Sequence, residues 1–150
     1  MNFISTFVEA EHALLDKLLE EFFVGRNNLG NALAAFMEFK RQLLLHMKLE
    51  DDYLFPRLIE YFEMDKDSGL AMKARQDHLI IQKLVLFVEK ACLVNDEKKV
   101  MLAAKNLQRS LNQHHLRERE LQYPVSDRFI PREEWNLILI KVYGERETSV

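Results

Sequence analysis

Cysteine, glycine and proline are all scarce in this chain. Its one cysteine, Cys92, rules out an internal disulfide and fits a reducing compartment. Four glycines and three prolines leave few turn signals, and with 48% hydrophobic and 30% charged residues they favour long helices over a turn-rich β fold. Positive charge is not in excess. A formal net charge of -3 provides no basic field for nucleic acid or an anionic membrane. Lys98, Lys99 and Lys105, and Arg117 with Arg119, are interleaved with acids or apolar residues and read as solvated helix faces. No run reaches the roughly 18 uncharged apolar residues of a membrane span. The opening MNFISTFVEAEH lacks a basic start, an apolar h-region and a small-residue cleavage site. A soluble, cytoplasmic protein without nucleic-acid or membrane partners is expected, and 150 residues suit one domain over 1–150.

Apolar residues then set out the helices. Ile4, Phe7, Val8, Leu14, Leu15, Leu18, Leu19, Phe22 and Phe23 recur at mixed spacings of three and four, which predicts an amphipathic helix from about Ile4 to Phe23. Gly25 should stop it, and Asn27, Asn28 and Asn31 offer caps for the next. A second helix from near Asn28 carries Leu33, Phe36, Phe39, Leu43 and Leu44, and Pro56 should kink or end it, with a last turn or two through Phe62. After the loop MDKDSG, a third helix from about Ser68 to Leu93 carries Leu70, Ile81, Leu84, Val85 and Val88. Asn95 and Asp96 make a turn and a cap. A fourth helix carries Val100, Leu107 and Leu111 and should stop near Tyr123, because Pro124 disfavours helix in its predecessor. Pro131 opens a short fifth helix, about 131–143, anchored by Trp135, and the residues after Gly144 look frayed. The expected fold is all-α, an up-down-up-down four-helix bundle over about 4–124 with that short C-terminal fifth helix. The fifth helix could cover the bundle or form a homodimer face.

Four of the five histidines fall in a twofold repeat. His46, Glu50 and Pro56 in LLLHMKLEDDYLFP match His114, Glu118 and Pro124 in LNQHHLRERELQYP, while His12 in EHALLDKLL matches His78 in DHLIIQKLV. The offsets between copies are 66 residues from His12 to His78 and 68 from His46 to His114. Residues i and i+4 of a helix lie about 40° apart around the axis and roughly 6 Å along it, so each His-x-x-x-Glu projects side by side from one face. Four imidazoles and two carboxylates, His12, His46, Glu50, His78, His114 and Glu118, could then meet at one level of the bundle. Without paired cysteines this donor set suits iron or manganese, and six ligands exceed one tetrahedral zinc site. Two divalent ions bring four positive charges, two glutamates return two negative ones, and a hydroxide, oxide or exogenous ligand can supply more; the glutamates are costly to bury without metal or protons.

On this ordered set, His12, His46-x-x-x-Glu50, His78, His114-x-x-x-Glu118, with aromatic-Pro after each His-x-x-x-Glu, the chain resembles the hemerythrin-like proteins of the HHE cation-binding family over about residues 4–124. The resemblance implies two iron ions in a non-haem centre, bridged by oxide or hydroxide, with zinc or manganese the lesser alternatives. It also implies that His12 and His46 serve one iron, that His78 and His114 serve the other, and that Glu50 and Glu118 bridge. The chain departs from the respiratory members. They carry two histidines four apart on the third helix and an aspartate on the fourth, whereas here Ala74 and Gln82 flank His78 at that spacing and the carboxylate is Glu118. With one histidine fewer, the centre is expected to take a small-molecule ligand, oxygen, nitric oxide or peroxide, in sensing, scavenging or stress response rather than in oxygen carriage. Enzyme-like turnover of peroxide or nitric oxide, and iron donation for iron-sulfur repair, are the alternatives from the enzyme class. A structural or partner-binding bundle with an idle or zinc-filled site is the third. A sensor of this length needs a separate protein partner.

Other residues near the repeat are candidates for supporting roles. On a wheel with His12 at zero, Glu11 falls at about −100°, inside the apolar arc, and Asp77 stands likewise beside His78. They could orient a histidine ring, bind metal directly or pair with lysine at the bundle edge. Asp16 and Gln82 are weaker candidates for the same work. His115 has no counterpart in the repeat and reads as a surface or helix-interface residue. Cys92 reads as core. Tyr53 and Tyr123 should close the bundle end, and Met37, Met47 and Met72 should fill the core.

Overall fold

The computed structural model of the chain describes residues 2–25, 28–62 and 69–144, and among these every regular element is helical. Helix α1 runs Phe3–Val24, α2 Leu29–Leu49, α3 Phe55–Phe62, α4 Gly69–Leu93, α5 Glu97–Arg117, α6 Tyr123–Phe129 and α7 Arg132–Tyr143. Five-residue π-turns, Glu50–Leu54 and Glu118–Gln122, join α2 to α3 and α5 to α6 without a break. α1 packs on α2, α2 on α4, α4 on α5 and α5 on α1, a closed bundle-like arrangement, while α7 lies against α2. No helix among the described residues is long and apolar enough to cross a membrane.

The helix ends follow the caps in the sequence, with one borrowed from afar. Asn28 accepts from the Asn31 N–H at 3.2 Å, Asp96 accepts from the Lys99 N–H at 3.1 Å, and Asn95 takes the left-handed φ of 59° that closes α4. α1 has no cap of its own. Asp127 of α6 supplies it, accepting from the Ile4 N–H at 2.8 Å and the Ser5 hydroxyl at 2.5 Å.

Both proline expectations meet the π-turns. α5 was expected to stop near Tyr123, yet the helical run continues through Pro124 to Phe129, as the second helix continues through Pro56 to Phe62. In each copy the wide turn bonds the aromatic N–H to the glutamate carbonyl five residues back, Phe55 to Glu50 and Tyr123 to Glu118. The extra residue relieves the clash that a proline ring makes with a regular α-helical carbonyl.

Two apolar clusters flank a polar layer. One holds Leu15, Leu19, Phe22, Phe36, Phe39, Leu43, Ile81, Val88, Val100, Leu107 and Leu111, and Cys92 is buried in it as expected. The other joins Ile4, Val8, Leu49, Leu54 and Tyr123 to Trp135, Ile138 and Val142 of α7. On α1 the clusters meet at His12, with Val8 on one side and Leu15 on the other. The fifth helix of the sequence reading therefore covers the bundle: Trp135 packs edge-on to Phe7 at 5.5 Å, and Arg57 of α3 grips Glu134 at 2.7 and 3.0 Å. Met47 is buried, but Met37 and Met72 are exposed, as are Leu14 and Leu44. An apolar residue just off the inward stripe falls at the helix edge, and its type alone does not pull it in. The side chain of Leu70, the loop from Met64 to Ser68, Asn27 and the residues after Gly144 lie outside the described residues.

Candidate metal centre

Each of the six residues in the repeat sits where its helix turns inward, and all six are buried. His12 comes from α1, His46 from α2, His78 from α4 and His114 from α5, while Glu50 and Glu118 are the first residues of the two π-turns. They converge in two overlapping groups among the described residues: Glu50, His78, His114 and Glu118 in one, and His12, His46, His115 and Glu118 in the other, the ligand atoms of each lying within 4.8 Å of one another.

The imidazoles pair Nε2 to Nε2, His12 with His46 at 3.1 Å and His78 with His114 at 3.0 Å. The glutamates stand between the pairs. Glu50 Oε1 is 3.3 Å from Nε2 of His46 and 3.3 Å from Nε2 of His78, while Glu118 Oε1 is 3.2 Å from His114 and 3.9 Å from His12. Both glutamates are 0% exposed, and neither Oε1 has a hydrogen-bond partner. Tyr123 supplies the hydroxyl at the other oxygens, 2.7 Å from Glu50 Oε2 and 2.9 Å from Glu118 Oε2.

Carboxylates hold the outer nitrogens of three rings. Nδ1 of His46 donates to Glu11 at 3.0 Å, Nδ1 of His78 to Asp51 at 2.9 Å and Nδ1 of His114 to Asp77 at 3.1 Å. Glu11 and Asp77 thus act alike in the two copies: each precedes the first histidine of its unit and orients the second, and neither points into the ligand cluster. Further anchors tie them to the fold. Tyr143 of α7 donates to Glu11 at 2.5 Å, and Arg117 pairs with Asp77. Of the weaker candidates, Gln82 donates to Met47 Sδ at 3.9 Å rather than to a histidine.

The repeat breaks at the residue after each glutamate. Asp51 orients His78, but the matching position beside His12 is Arg119, and His12 Nδ1 has no partner. The consequence is chemical. In the His78–His114 pair both Nδ1 atoms carry the donated hydrogen, so with neutral rings both Nε2 atoms present lone pairs at 3.0 Å. Such a contact is repulsive unless a cation or an added proton lies between them. Two nitrogens about 2.1 Å from one ion and at right angles lie about 3.0 Å apart, so the donors fit a shared metal. The buried histidines and glutamates could hold a metal ion.

Electrostatics agree with this division. Burial alone would lower the pKa of His78, but Asp51 and Glu50 reverse that and raise it to about 9. Burial would lift Glu50, yet the imidazoles led by His46 hold it well below the usual carboxylate range. His12 is lowered to about 3, by burial first and His46 second. Burial, then Glu50, pushes Tyr123 well above the ordinary phenol value, so its hydroxyl stays a donor. Carboxylates at both nitrogens thus favour the charged form of His78, while burial without one at Nδ1 favours the neutral form of His12.

Comparison with protein-family models, with curated proteins and with solved structures finds no match.

Three residues at the centre were misread or missed from sequence. Tyr123 was expected to close the bundle end, but its hydroxyl stands among the ligands, also 3.3 Å from His46 Nε2 and 3.5 Å from His12 Nε2. On a regular helix a residue five places on lies about 140° from Glu118. The π-turn removes that offset. The repeated Glu-x-x-x-x-aromatic-Pro was the available signal, and its first copy places Phe55 against His78, ring centroids 5.6 Å apart. Of the two places expected for His115 it takes the helix interface and not the surface, buried and stacked flat on His12 of α1 with centroids 3.5 Å apart and planes at 8°, so that what the sequence missed is its nearness to the cluster. Asp51 carried no signal from periodicity.

Proposed function

We propose that the chain is a hemerythrin-like protein whose long helices run up-down-up-down around a non-haem di-iron centre. It binds oxygen, nitric oxide, peroxide or a related small molecule in sensing, scavenging or stress response. One observation carries this reading: four buried imidazoles whose Nε2 atoms meet in pairs 3.0 and 3.1 Å apart, beside two fully buried glutamates whose Oε1 atoms lack partners. Left unanswered, such a cluster costs several kcal/mol, and cations remove that cost.

Two ions fit better than one, since each glutamate Oε1 lies beside imidazoles of both pairs. Six imidazole and carboxylate donors exceed one tetrahedral zinc site and suit iron. His12 and His46 would hold one ion, His78 and His114 the other, and Glu50 and Glu118 would bridge. When bound, the pair would supply Lewis-acid and redox chemistry. The rest falls to the chain: Glu11, Asp51 and Asp77 fix the rings, Tyr123 holds a proton against Glu50, and the apolar clusters exclude bulk water. Ala74 and Gln82 stand where a further α4 histidine would serve, so six ligands leave room for a small molecule.

The phenol hydroxyl of Tyr123, 2.7 Å from Glu50, favours turnover of peroxide or nitric oxide as a second reading, because it places a proton donor at the centre. Metal quantification with an optical spectrum of anaerobically prepared protein, before and after air, tests the first. About two irons per chain and a ferric charge-transfer band appearing in air are expected. Bound zinc with a silent spectrum would refute it. Catalytic consumption of peroxide or nitric oxide, rather than reversible binding, would select the second.

A further inference from the structure

His115 is the histidine outside the repeat, and it is only 4% exposed. Its ring lies flat on His12 and edge-on to His46, with centroids 5.6 Å apart in the second contact. One of its ring nitrogens lies within 4.8 Å of ligand atoms of His12, His46 and Glu118, yet its Nε2 has no hydrogen-bond partner.

A place in the ligand set is the obvious role for such a group, and the stacking argues against it. An ion bound by His12 lies in the plane of that ring. The plane of His115 is nearly parallel, with ring centroids 3.5 Å apart. A metal–nitrogen bond needs about 2.1 Å, with the ion close to the plane of each donor ring. The two rings cannot both meet that condition for one ion in this arrangement.

The other copy of the repeat shows what takes this place when no imidazole is present. Position 47 matches position 115, and there a methionine is buried with its sulfur occupied by Gln82 at 3.9 Å. Phe55 covers His78, where Tyr123 stands over His12. One side of the centre is therefore lined by a thioether and a phenyl ring, the other by an imidazole and a phenol.

We propose that His115 and Tyr123 form a polar pocket over the His12–His46 side, and that the unpaired nitrogen of His115 hydrogen-bonds a ligand of two or three atoms there. Small oxygen or nitrogen anions and diatomics are the class that fits, whereas among the described residues the His78–His114 side presents Met47 and Phe55 at the matching positions. The inference rests on the metal-centre reading above and makes His115 a positioning residue.

Azide is the probe. In iron-loaded protein, His115→Phe keeps a flat ring on His12 and removes both nitrogens. Its iron content is expected to stay at the wild-type value while azide, followed by its charge-transfer band, binds about tenfold more weakly, the effect of one lost hydrogen bond. Unchanged azide affinity would overturn the proposal, and loss of iron from the variant would make His115 a ligand and overturn it too. Wild-type protein that takes up no metal would instead defeat the reading beneath it. Should the variant not fold, the infrared azide stretch of the wild-type adduct decides: a shift between H2O and D2O that survives Tyr123→Phe supports His115, and no shift overturns it.

Discussion

Replacing Asp51 with alanine removes the acceptor that holds Nδ1 of His78 at 2.9 Å. Without it, the ring can rotate or place its hydrogen on Nε2, the atom that faces His114 and Glu50. Loss of a carboxylate behind a ligating histidine costs about 10- to 100-fold in metal affinity. The place within that range follows from burial. The Asp51 side chain is 33% exposed, so water can partly replace it, and Asp51→Ala should cost near tenfold, about 1.4 kcal/mol. Asp77, 9% exposed and also paired with Arg117, should cost nearer a hundredfold when replaced by alanine. Competition with a chromophoric chelator at fixed pH measures both. Asp51→Asn keeps an oxygen acceptor and should recover most of the loss. The converse change is also informative: Arg119→Asp offers His12 Nδ1 the acceptor it lacks and should tighten binding on that side. Equal metal affinity in wild type and Asp51→Ala, with only the melting temperature lowered, would refute the idea that these carboxylates prepare the rings for metal.

Metal uptake should strengthen as pH rises toward 9, because His78, raised to about 9 by Asp51 and Glu50 against the effect of burial, must shed its proton before Nε2 can bind. Chelator competition that gives one affinity from about pH 6 to 9 would contradict this. Metal-free protein should lose stability in acid: His12, lowered to about 3 by burial and then His46, stabilises the fold fully above 6.5 and progressively less as pH falls toward 3. The raised His78 acts in the opposite sense, its contribution full below 6.5 and lost as pH rises through 9, so the melting temperature in chelator should peak between these limits. A melting temperature that rises steadily as pH falls below 6.5 would be the wrong sign. Tyr123→Phe strips the donor from Glu50 Oε2 and Glu118 Oε2 and should cost metal-free protein about 1–3 kcal/mol. The cost should shrink after metal loading, when cations answer the carboxylates, and equal losses with and without metal would count against that account.

The helices and the six repeat residues were legible because they depend on local rules. Apolar spacing of three and four marks an inward stripe, and His-x-x-x-Glu at that spacing puts both groups on the same stripe, so His12, His46, Glu50, His78, His114 and Glu118 follow from one-dimensional order. The caps at Asn28 and Asp96 are local in the same way. Other features depend on distant contacts. The π-turns at Glu50 and Glu118 alter the phase of the helix, which is why a regular wheel left Tyr123 outside the centre that its hydroxyl enters. Glu11 crosses to the next helix to reach His46, Asp51 reaches forward from one unit to His78 of the other, and His115 stacks across the bundle on His12. Those partners lie 35, 27 and 103 positions apart in the chain, beyond what helical periodicity can relate. Local periodicity therefore chose which side chains face inward. Only packing decided which oxygen or ring each would meet, because hydrogen-bond geometry between elements depends on helix rotation and register to within about an ångström.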